Sequence, residues 1–164
     1  MSVNRELPHV LVLPEDGADR EIANGFLMSL SLRHPHRIDI LLSAGGWPAV
    51  RDSLAKQYIA YLRKYVYAHL VLLIDFDNKV QQRWSQFTPH IPADVKDRVY
   101  LVGALDEPEK LRRALNWALT REAIGKTLAD ECANGTGQLW QHPHMAHNAN
   151  ERQRLIAQVH PILF

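Results

Sequence analysis

The sequence has little cysteine: Cys132 is the single one among 164 residues. A lone cysteine cannot form a disulfide within the chain, and it cannot supply the several thiolates of a structural metal cluster. This usage is typical of proteins in a reducing compartment, so we expect the protein to be cytoplasmic.

Long apolar runs are missing as well. The longest, at residues 70–74, is far shorter than the ~20 residues that a membrane-spanning helix requires, and residues 1–7 are polar. We therefore expect no membrane span, no secretory signal and no membrane partner.

An excess of charge of one sign is absent too. The chain has 19 basic and 18 acidic residues and a formal net charge of +1. Attraction of the whole molecule to nucleic acid or to anionic lipid is therefore not expected, and a surface for nucleic acid would have to be a local patch.

The chain does contain enough apolar sequence for a core. With 46% hydrophobic and 23% charged residues, the composition is that of a globular protein and not of a disordered one. A chain of 164 residues fits one ordinary domain, and no linker divides it. We expect a single domain, residues 1–164.

Four short apolar runs predict strands at residues 9–13, 38–42, 69–74 and 99–102. They are apolar at almost every position, which favours a parallel sheet that is buried on both faces. Helical patterns at residues 18–32 and 48–67 separate the first three runs. The predicted fold class is therefore α/β, a compact parallel sheet of about four strands with helices on both faces.

After the fourth run the chain predicts helices at residues 107–118, 120–132 and 150–159. We expect residues 106–164 to form a helical C-terminal extension of a core at residues 9–105. Residues 82–96 contain two prolines and predict a loop with at most a short helix.

Acidic residues follow three of the predicted strands. They are Glu15, Asp16 and Asp19 after the first strand, Asp75 and Asp77 after the third, and Asp106, Glu107 and Glu109 after the fourth. Ligands of open parallel sheets bind beyond the carboxyl ends of the strands, so these carboxylates lie where a site is expected. In an extended segment Asp75 and Asp77 would point to the same side, and Glu15 could join them in one cluster.

Converging carboxylates repel each other unless a cation offsets their charge or one of them keeps a proton. Their hard oxygen atoms suit Mg²⁺ or Mn²⁺. The alternative is that acidic residues cap helix N-termini and complement the helix dipole. This alternative stays open for Asp16 and Asp19. It is preferred for Glu107 and Glu109, which open a helix.

Three short motifs resemble the toprim domain: Glu15-Asp16-Gly17-Ala18-Asp19 after the first strand, Gly45-Gly46 after the second, and Asp75-Phe76-Asp77 after the third. Topoisomerases, bacterial primases, recombination mediators and nucleases of the overcoming-lysogenization-defect type share that domain. The resemblance covers roughly residues 9–105 and is nearest to small stand-alone bacterial toprim-like proteins.

The resemblance implies that Glu15 is a catalytic general acid or base, or a metal ligand. It also implies that Asp75 and Asp77, with Asp19 as a further ligand, hold Mg²⁺ or Mn²⁺ for phosphodiester chemistry on nucleic acid. We therefore expect a metal-dependent nuclease of the toprim type.

The chain departs from the family at two of these motifs. Many members have a glycine directly after the glutamate, whereas here Asp16 stands between Glu15 and Gly17. Many also have a glycine or a further acidic residue after the third motif, where this chain has Asn78-Lys79. A topoisomerase also needs a tyrosine-bearing partner domain, and a primase needs a template-binding domain. We expect neither activity from a chain of this length.

Two other functions stay open. A toprim-like fold can act without catalysis, as a binding or assembly protein with a partner protein. A receiver-like signalling module would also place acidic residues after the first strand and Asp75 after the third around Mg²⁺. Such a module has Thr or Ser after its fourth strand, where this chain has Gly103-Ala104-Leu105.

Three histidines, His142, His144 and His147, lie within six residues of each other and suggest a zinc site. No cysteine accompanies them, and Pro143 restricts the segment. We prefer the interpretation that this segment packs on the core, with a supporting role beside the acidic cluster as a further alternative.

Basic and aromatic side chains on the predicted helices complete the set of candidates. They are Arg51, Lys56, Arg63, Lys64, Arg112, Arg113 and Arg121, with Trp47, Trp84 and Trp117. Basic residues on helices usually form solvated faces, and tryptophans at helical spacing usually belong to the core. Only at the rim of the acidic edge would they hold phosphates or stack on bases.

Overall fold

The computed structural model describes residues 2–164, and its sheet confirms the α/β prediction. The four strands are β1 (His9–Pro14), β2 (Ile38–Ile40), β3 (Ala68–Leu73) and β4 (Val99–Val102). All three neighbouring pairs are parallel, and the strands lie in the order β2-β1-β3-β4. The two central strands, β1 and β3, are therefore neighbours, which places the ends of both in one region of the sheet edge.

Helices connect the strands and complete the chain. They are α1 (Gly17–Leu27), α2 (Trp47–Ser53), α3 (Ile59–Lys64), α4 (Val80–Phe87), α5 (Pro108–Ala114), α6 (Arg121–Asn134), α7 (Ala149–Gln158) and α8 (His160–Leu163). A π-helical turn, Leu54–Tyr58, joins α2 to α3, and short 3₁₀ turns occur at Pro35–Arg37, Thr88–His90, Lys96–Arg98 and Ala146–Asn148. Within residues 2–164, no helix combines the length and apolar content that crossing a membrane requires.

The sheet is buried on both faces, as the uniformly apolar strands predict. Val10 and Val12 of β1 belong to the core on the side of α1 and α6. Leu11 and Leu13 belong to the opposite core, together with Leu54 of the π-helical turn. Successive side chains of a strand alternate between faces, so an all-apolar strand supplies both cores at once.

Three helical predictions differ from the structure in extent. The helix predicted at 18–32 ends at Leu27, because the chain turns there and Leu30, which fitted the apolar spacing, is 94% exposed. The helix predicted at 107–118 ends at Ala114, since Asn116 and Trp117 adopt positive φ angles of 54° and 58°. The helix predicted at 48–67 ends at Lys64.

The segment predicted mainly as a loop, residues 82–96, contains most of a two-turn helix. α4 begins at Val80, and its last residue, Phe87, is completely buried in the core beneath the sheet. The sequence of α4 is mostly polar and does not predict a helix by itself. Burial of the Phe87 side chain in the core stabilises it.

Side chains of α7 and of its N-cap residue, Asn148, cover the edge of β4 that no other described strand pairs with. Glu151 accepts a hydrogen bond of 3.0 Å from the backbone N–H of Leu101. Asn148 pairs with both the N–H and the carbonyl of Gly103, at 3.2 and 2.9 Å. Arg154 donates to the carbonyl of Val99 at 3.2 Å. These three side chains are spaced three residues apart and lie on one face of the helix. They form hydrogen bonds with the backbone groups of alternate residues along this edge, which a fifth strand would otherwise pair.

Candidate metal centre

The register of the sheet brings the ends of β1 and β3 to the same level. Pro14 lies opposite Leu73, and the N–H of Glu15 donates to the carbonyl of Leu73 at 2.8 Å, which extends the ladder by one bond. The Glu15 carboxylate in turn accepts a hydrogen bond of 2.8 Å from the backbone N–H of Asp75. These contacts fix Glu15 at the carboxyl edge, between the two central strands.

Asp19 reaches the same place from the first turn of α1. Asp16 is the N-cap of this helix, and one of its carboxylate oxygens accepts from the N–H groups of Ala18 and Asp19, at 2.9 and 3.1 Å. The capping interpretation therefore describes Asp16. Asp19 lies in the first turn, where the helix dipole favours a carboxylate, but it caps no N–H group. Its side chain is completely buried, its oxygens accept no hydrogen bond from an N–H or hydroxyl donor of the described residues, and it shares a side-chain hydrogen bond with Asp75.

Glu15, Asp19 and Asp75 form the candidate metal centre, which we call the carboxylate triad. One carboxylate oxygen from each side chain lies within 4.8 Å of the corresponding oxygens of the other two. Asp75 is 9% exposed, and its Oδ1, like both oxygens of Asp19, accepts no hydrogen bond from an N–H or hydroxyl donor in the described part of the chain. Buried carboxylates without partners are unfavourable, whereas oxygen atoms this close can bind one ion together. The triad could therefore bind a metal ion.

Burial and mutual repulsion raise the pKa of all three carboxyl groups. For Asp19 burial is the largest cause, followed by the charge of Asp75. For Asp75 burial is again the largest cause, followed by the charge of Glu15. Burial also raises the pKa of Glu15, although the N–H groups of Asp75 and Trp47 act in the opposite direction. The protein without a cation thus keeps protons in the triad at a pH where exposed aspartates have lost theirs.

Asp77 lies outside the triad, although it is only two residues from Asp75. Its φ angle is 51°, so the backbone turns left-handed and the alternation of an extended segment ends there. Its carboxylate forms an ion pair with Arg83 of α4. The structure therefore brings together Glu15, Asp19 and Asp75 of the four sequence-predicted ligands and gives Asp77 a different partner.

Arg83 is a residue of this region that the sequence analysis missed. Its side chain is 7% exposed, and its guanidinium carbon lies 4.3 Å from the ring centroid of Trp47. It also donates to Gln86 at 3.0 Å. Arg83 and Phe87 are four residues apart, which would place them on one face of a helix. This spacing is the one signal in the sequence, and it is missed when residues 82–96 are interpreted as a loop.

The acidic residues after β4 have partners of their own. Asp106 forms an ion pair of 2.6 Å with Lys110 and accepts from Asn78 at 2.7 Å. Glu109 forms an ion pair of 2.7 Å with Arg121. Glu107 occupies the N-cap position of α5, but its side chain makes no capping hydrogen bond there. These residues thus order the segment around α5 and α6, and the structure does not bring them into the triad.

The three histidines take part in packing at the ends of β3 and β4. His147 Nε2 donates to the carbonyl of Gly103 at 2.8 Å, and its ring meets the Phe76 ring edge-on at 4.9 Å. His142 Nδ1 accepts from the N–H of His144 at 3.1 Å. Within residues 2–164, no histidine belongs to a group of three side chains close enough to hold a metal ion.

Comparison of the chain with protein-family models, with curated proteins and with solved structures finds no match. The resemblance to the toprim domain therefore depends on the short motifs of the sequence. The chemistry of the carboxyl edge is the starting point for a function.

Proposed function

We propose that this protein is a toprim-type enzyme that cleaves phosphodiester bonds of nucleic acid and uses Mg²⁺ or Mn²⁺ held by Glu15, Asp19 and Asp75. The observation that carries the proposal is the burial of Asp19 beside two other carboxylates, with no basic side chain and no N–H donor of residues 2–164 bonded to it. A carboxylate with a purely structural role would be expected to have a basic residue or N–H donors around it.

The donor set supports a hard divalent cation. It consists of carboxylate oxygens alone, which suit Mg²⁺ and Mn²⁺ better than softer metals. When bound, such an ion would polarise a phosphodiester and lower the pKa of a water molecule. Asp19 and Asp75 are the buried members of the triad, so holding the ion is their role.

Glu15 has the properties of the proton-transferring member. It is half-buried, while the two aspartates are buried, so it lies nearest to a substrate arriving from solvent. Burial raises its pKa in the metal-free protein, and a bound cation would favour its ionised form, in which Glu15 would accept a proton from the attacking water. Its bond to the Asp75 N–H holds the carboxylate in one orientation.

The segment that leads into α2 contacts Glu15, and α2 itself carries a basic side chain. The N–H groups of Gly45 and Gly46 donate to the backbone carbonyl of Glu15 at 2.9 and 3.2 Å. Arg51 lies 5.4 Å from the Trp47 ring, is partly exposed and pairs with Asp52 at 3.6 Å. A partly exposed basic side chain on this helix supports phosphate binding even though the whole molecule is almost neutral.

The structure does not favour a receiver-like module. Such a module needs a lysine after a fifth strand, and in residues 2–164 the position beside β4 is taken by side chains of α7. The other alternative is that the chain acts without catalysis, as a binding or assembly protein. No observation favours this function, and it is one outcome of the following test.

The test is cleavage of plasmid, single-stranded DNA and RNA by the purified protein with Mn²⁺ or Mg²⁺. We expect cleavage by the wild type, loss of cleavage in Glu15→Gln, Asp19→Asn and Asp75→Asn, and full activity in the control Glu122→Gln, an exposed carboxylate on α6. A wild type that binds nucleic acid but is as inert as the three variants with every divalent metal would favour the binding protein.

A further inference from the structure

More negative charge lies at the carboxyl edge than the triad alone provides. Asp77 follows Asp75 by two residues beyond the end of β3, and its side chain is 47% exposed and does not belong to the group of oxygens within 4.8 Å of one another. Asp16, next to Glu15 in sequence, uses one of its oxygens to cap α1. Asp77 is therefore the carboxylate on which a second cation beside the triad would depend.

That carboxylate already has a cation. Arg83 pairs with Asp77, and α4 holds it in place: Phe87, one turn further along, is anchored in the core. Gln86 and the ring of Trp47 fix the guanidinium on its other sides, at 3.0 and 4.3 Å. A guanidinium stays charged at every pH at which the protein is folded, so this positive charge is permanent.

The segment before α2 connects this ion pair to the triad. Gly45 and Gly46 donate to the backbone carbonyl of Glu15 at 2.9 and 3.2 Å, and the ring of Trp47, the next residue, lies against Arg83. The guanidinium is therefore packed on the segment that contacts Glu15. Asp19, completely buried and with no basic residue of the described chain bonded to it, is the carboxylate that remains for a cation.

We propose that Arg83 takes the place of a second divalent ion: by neutralising Asp77 it limits the centre to one bound ion, held by the carboxylate triad. This inference rests on the proposed metal site. Two-metal centres hold their ions ~3.5–4 Å apart, and each ion needs carboxylates of its own or shared ones. A second dication at Asp77 would have to displace a buried guanidinium and would be repelled by it.

The role that follows for Arg83 is to neutralise Asp77 at a fixed position. The guanidinium is paired with that carboxylate and held by Gln86 and the Trp47 ring, so the pair adds no net charge to the site. Arg83 is thus a positioning residue for Asp77 and not a ligand of the ion.

The stoichiometry of Mn²⁺ binding tests this role, because a merely structural arginine would not change it. Calorimetric titration of the full chain with Mn²⁺ should give one ion for the wild type and two for Arg83→Gln, which frees the Asp77 carboxylate. Arg83→Lys, which keeps the charge, and the double variant Arg83→Gln with Asp77→Asn should both return to one ion. Arg63→Gln, which breaks the exposed pair with Asp94, is the matched control and should bind one ion.

Asp77→Asn alone provides a second test that does not require loss of the buried arginine. We expect it to bind one ion with an affinity within a few-fold of the wild type, since Asp77 is not a ligand. A loss of roughly 10-fold or more, as removal of a supporting or ligating group produces, would overturn the inference. Two ions in the wild type, or one ion in a folded Arg83→Gln variant, would overturn it as well. A wild type that binds no ion would instead refute the proposed metal site itself.

Discussion

The backbone N–H of Asp75 donates a hydrogen bond of 2.8 Å to the Glu15 carboxylate, so the end of one central strand fixes the side chain that follows the other. Parallel pairing in the register Pro14 to Leu73 makes this contact possible. Two residues 60 positions apart in sequence thereby form one unit, and Asp19 completes it from the first turn of α1.

Asp19→Asn should stabilise the metal-free protein while removing its metal site. The pKa of Asp19 is raised in the folded state, so its carboxyl group supports folding at acidic pH and this support is lost as the pH rises through the raised value. An amide cannot ionise and can donate to Asp75. We expect a gain of roughly 1–3 kcal/mol at about pH 8 and a smaller one at about pH 5.

Urea unfolding in the presence of a chelator measures this difference. Glu6→Gln, an exposed carboxylate outside the helices, is the control and should leave the free energy of unfolding unchanged at both pH values. An Asp19→Asn variant that is less stable than the wild type at the higher pH would contradict the burial of an unpaired carboxylate.

Metal binding should release protons. Because the pKa values of Asp19 and Asp75 are raised, the metal-free triad holds protons that a cation must displace. The apparent affinity for Mn²⁺ should therefore increase with pH from the acidic range upward. Calorimetry in buffers of different ionisation enthalpy counts the protons released. If no protons are released and the affinity does not change with pH, the triad does not hold protons in the metal-free protein.

The crossing of α1 and α6 should tolerate no side chain at either of its glycines. A Cβ atom on Gly25 would lie 2.0 Å from the backbone oxygen of Glu122, and one on Gly125 would lie 1.8 Å from that of Ile22. Gly25→Ala and Gly125→Ala should each lower the free energy of unfolding by about 1–3 kcal/mol or more. Because α1 carries Asp19, both should also weaken Mn²⁺ binding.

Gly17→Ala is the matched control for this crossing. A Cβ atom at Gly17, the first residue of the same helix, meets no atom within 4 Å. Thermal unfolding should leave this variant close to the wild type. Equal losses in all three variants would show that the effect comes from glycine replacement in general and not from the close approach of the helices.

The contact of α7 with the edge of β4 should contribute to the stability of the protein. Glu151→Ala leaves the buried N–H of Leu101 without an acceptor, which should destabilise the protein by roughly 1–3 kcal/mol, whereas Glu151→Gln keeps an acceptor and should lose less. Hydrogen exchange of the Leu101 amide measures this directly. If the Leu101 amide of Glu151→Ala exchanges as slowly as that of the wild type, the hydrogen bond from α7 does not protect the edge of β4.

The sequence was sufficient to predict the fold class, because uniformly apolar strands separated by helices require burial on both faces. It also placed Glu15 and Asp75 at one edge, since the carboxyl ends of parallel strands converge. Asp77 could not be placed in this way: its left-handed backbone breaks the alternation, and its partner Arg83 lies on a helix stabilised by a tertiary contact of Phe87. Burial of Asp19 likewise depends on the packing of α1, which spacing alone does not reveal.

The most direct test of the metal centre is anomalous diffraction from a crystal of the protein that contains Mn²⁺. We expect a peak between the carboxylates of Glu15, Asp19 and Asp75, with oxygen atoms at about 2.1 Å, and no peak there in a crystal of Asp19→Asn. A wild-type crystal in Mn²⁺ with no peak at the triad, or with the ion held by Asp77 instead, would contradict the account.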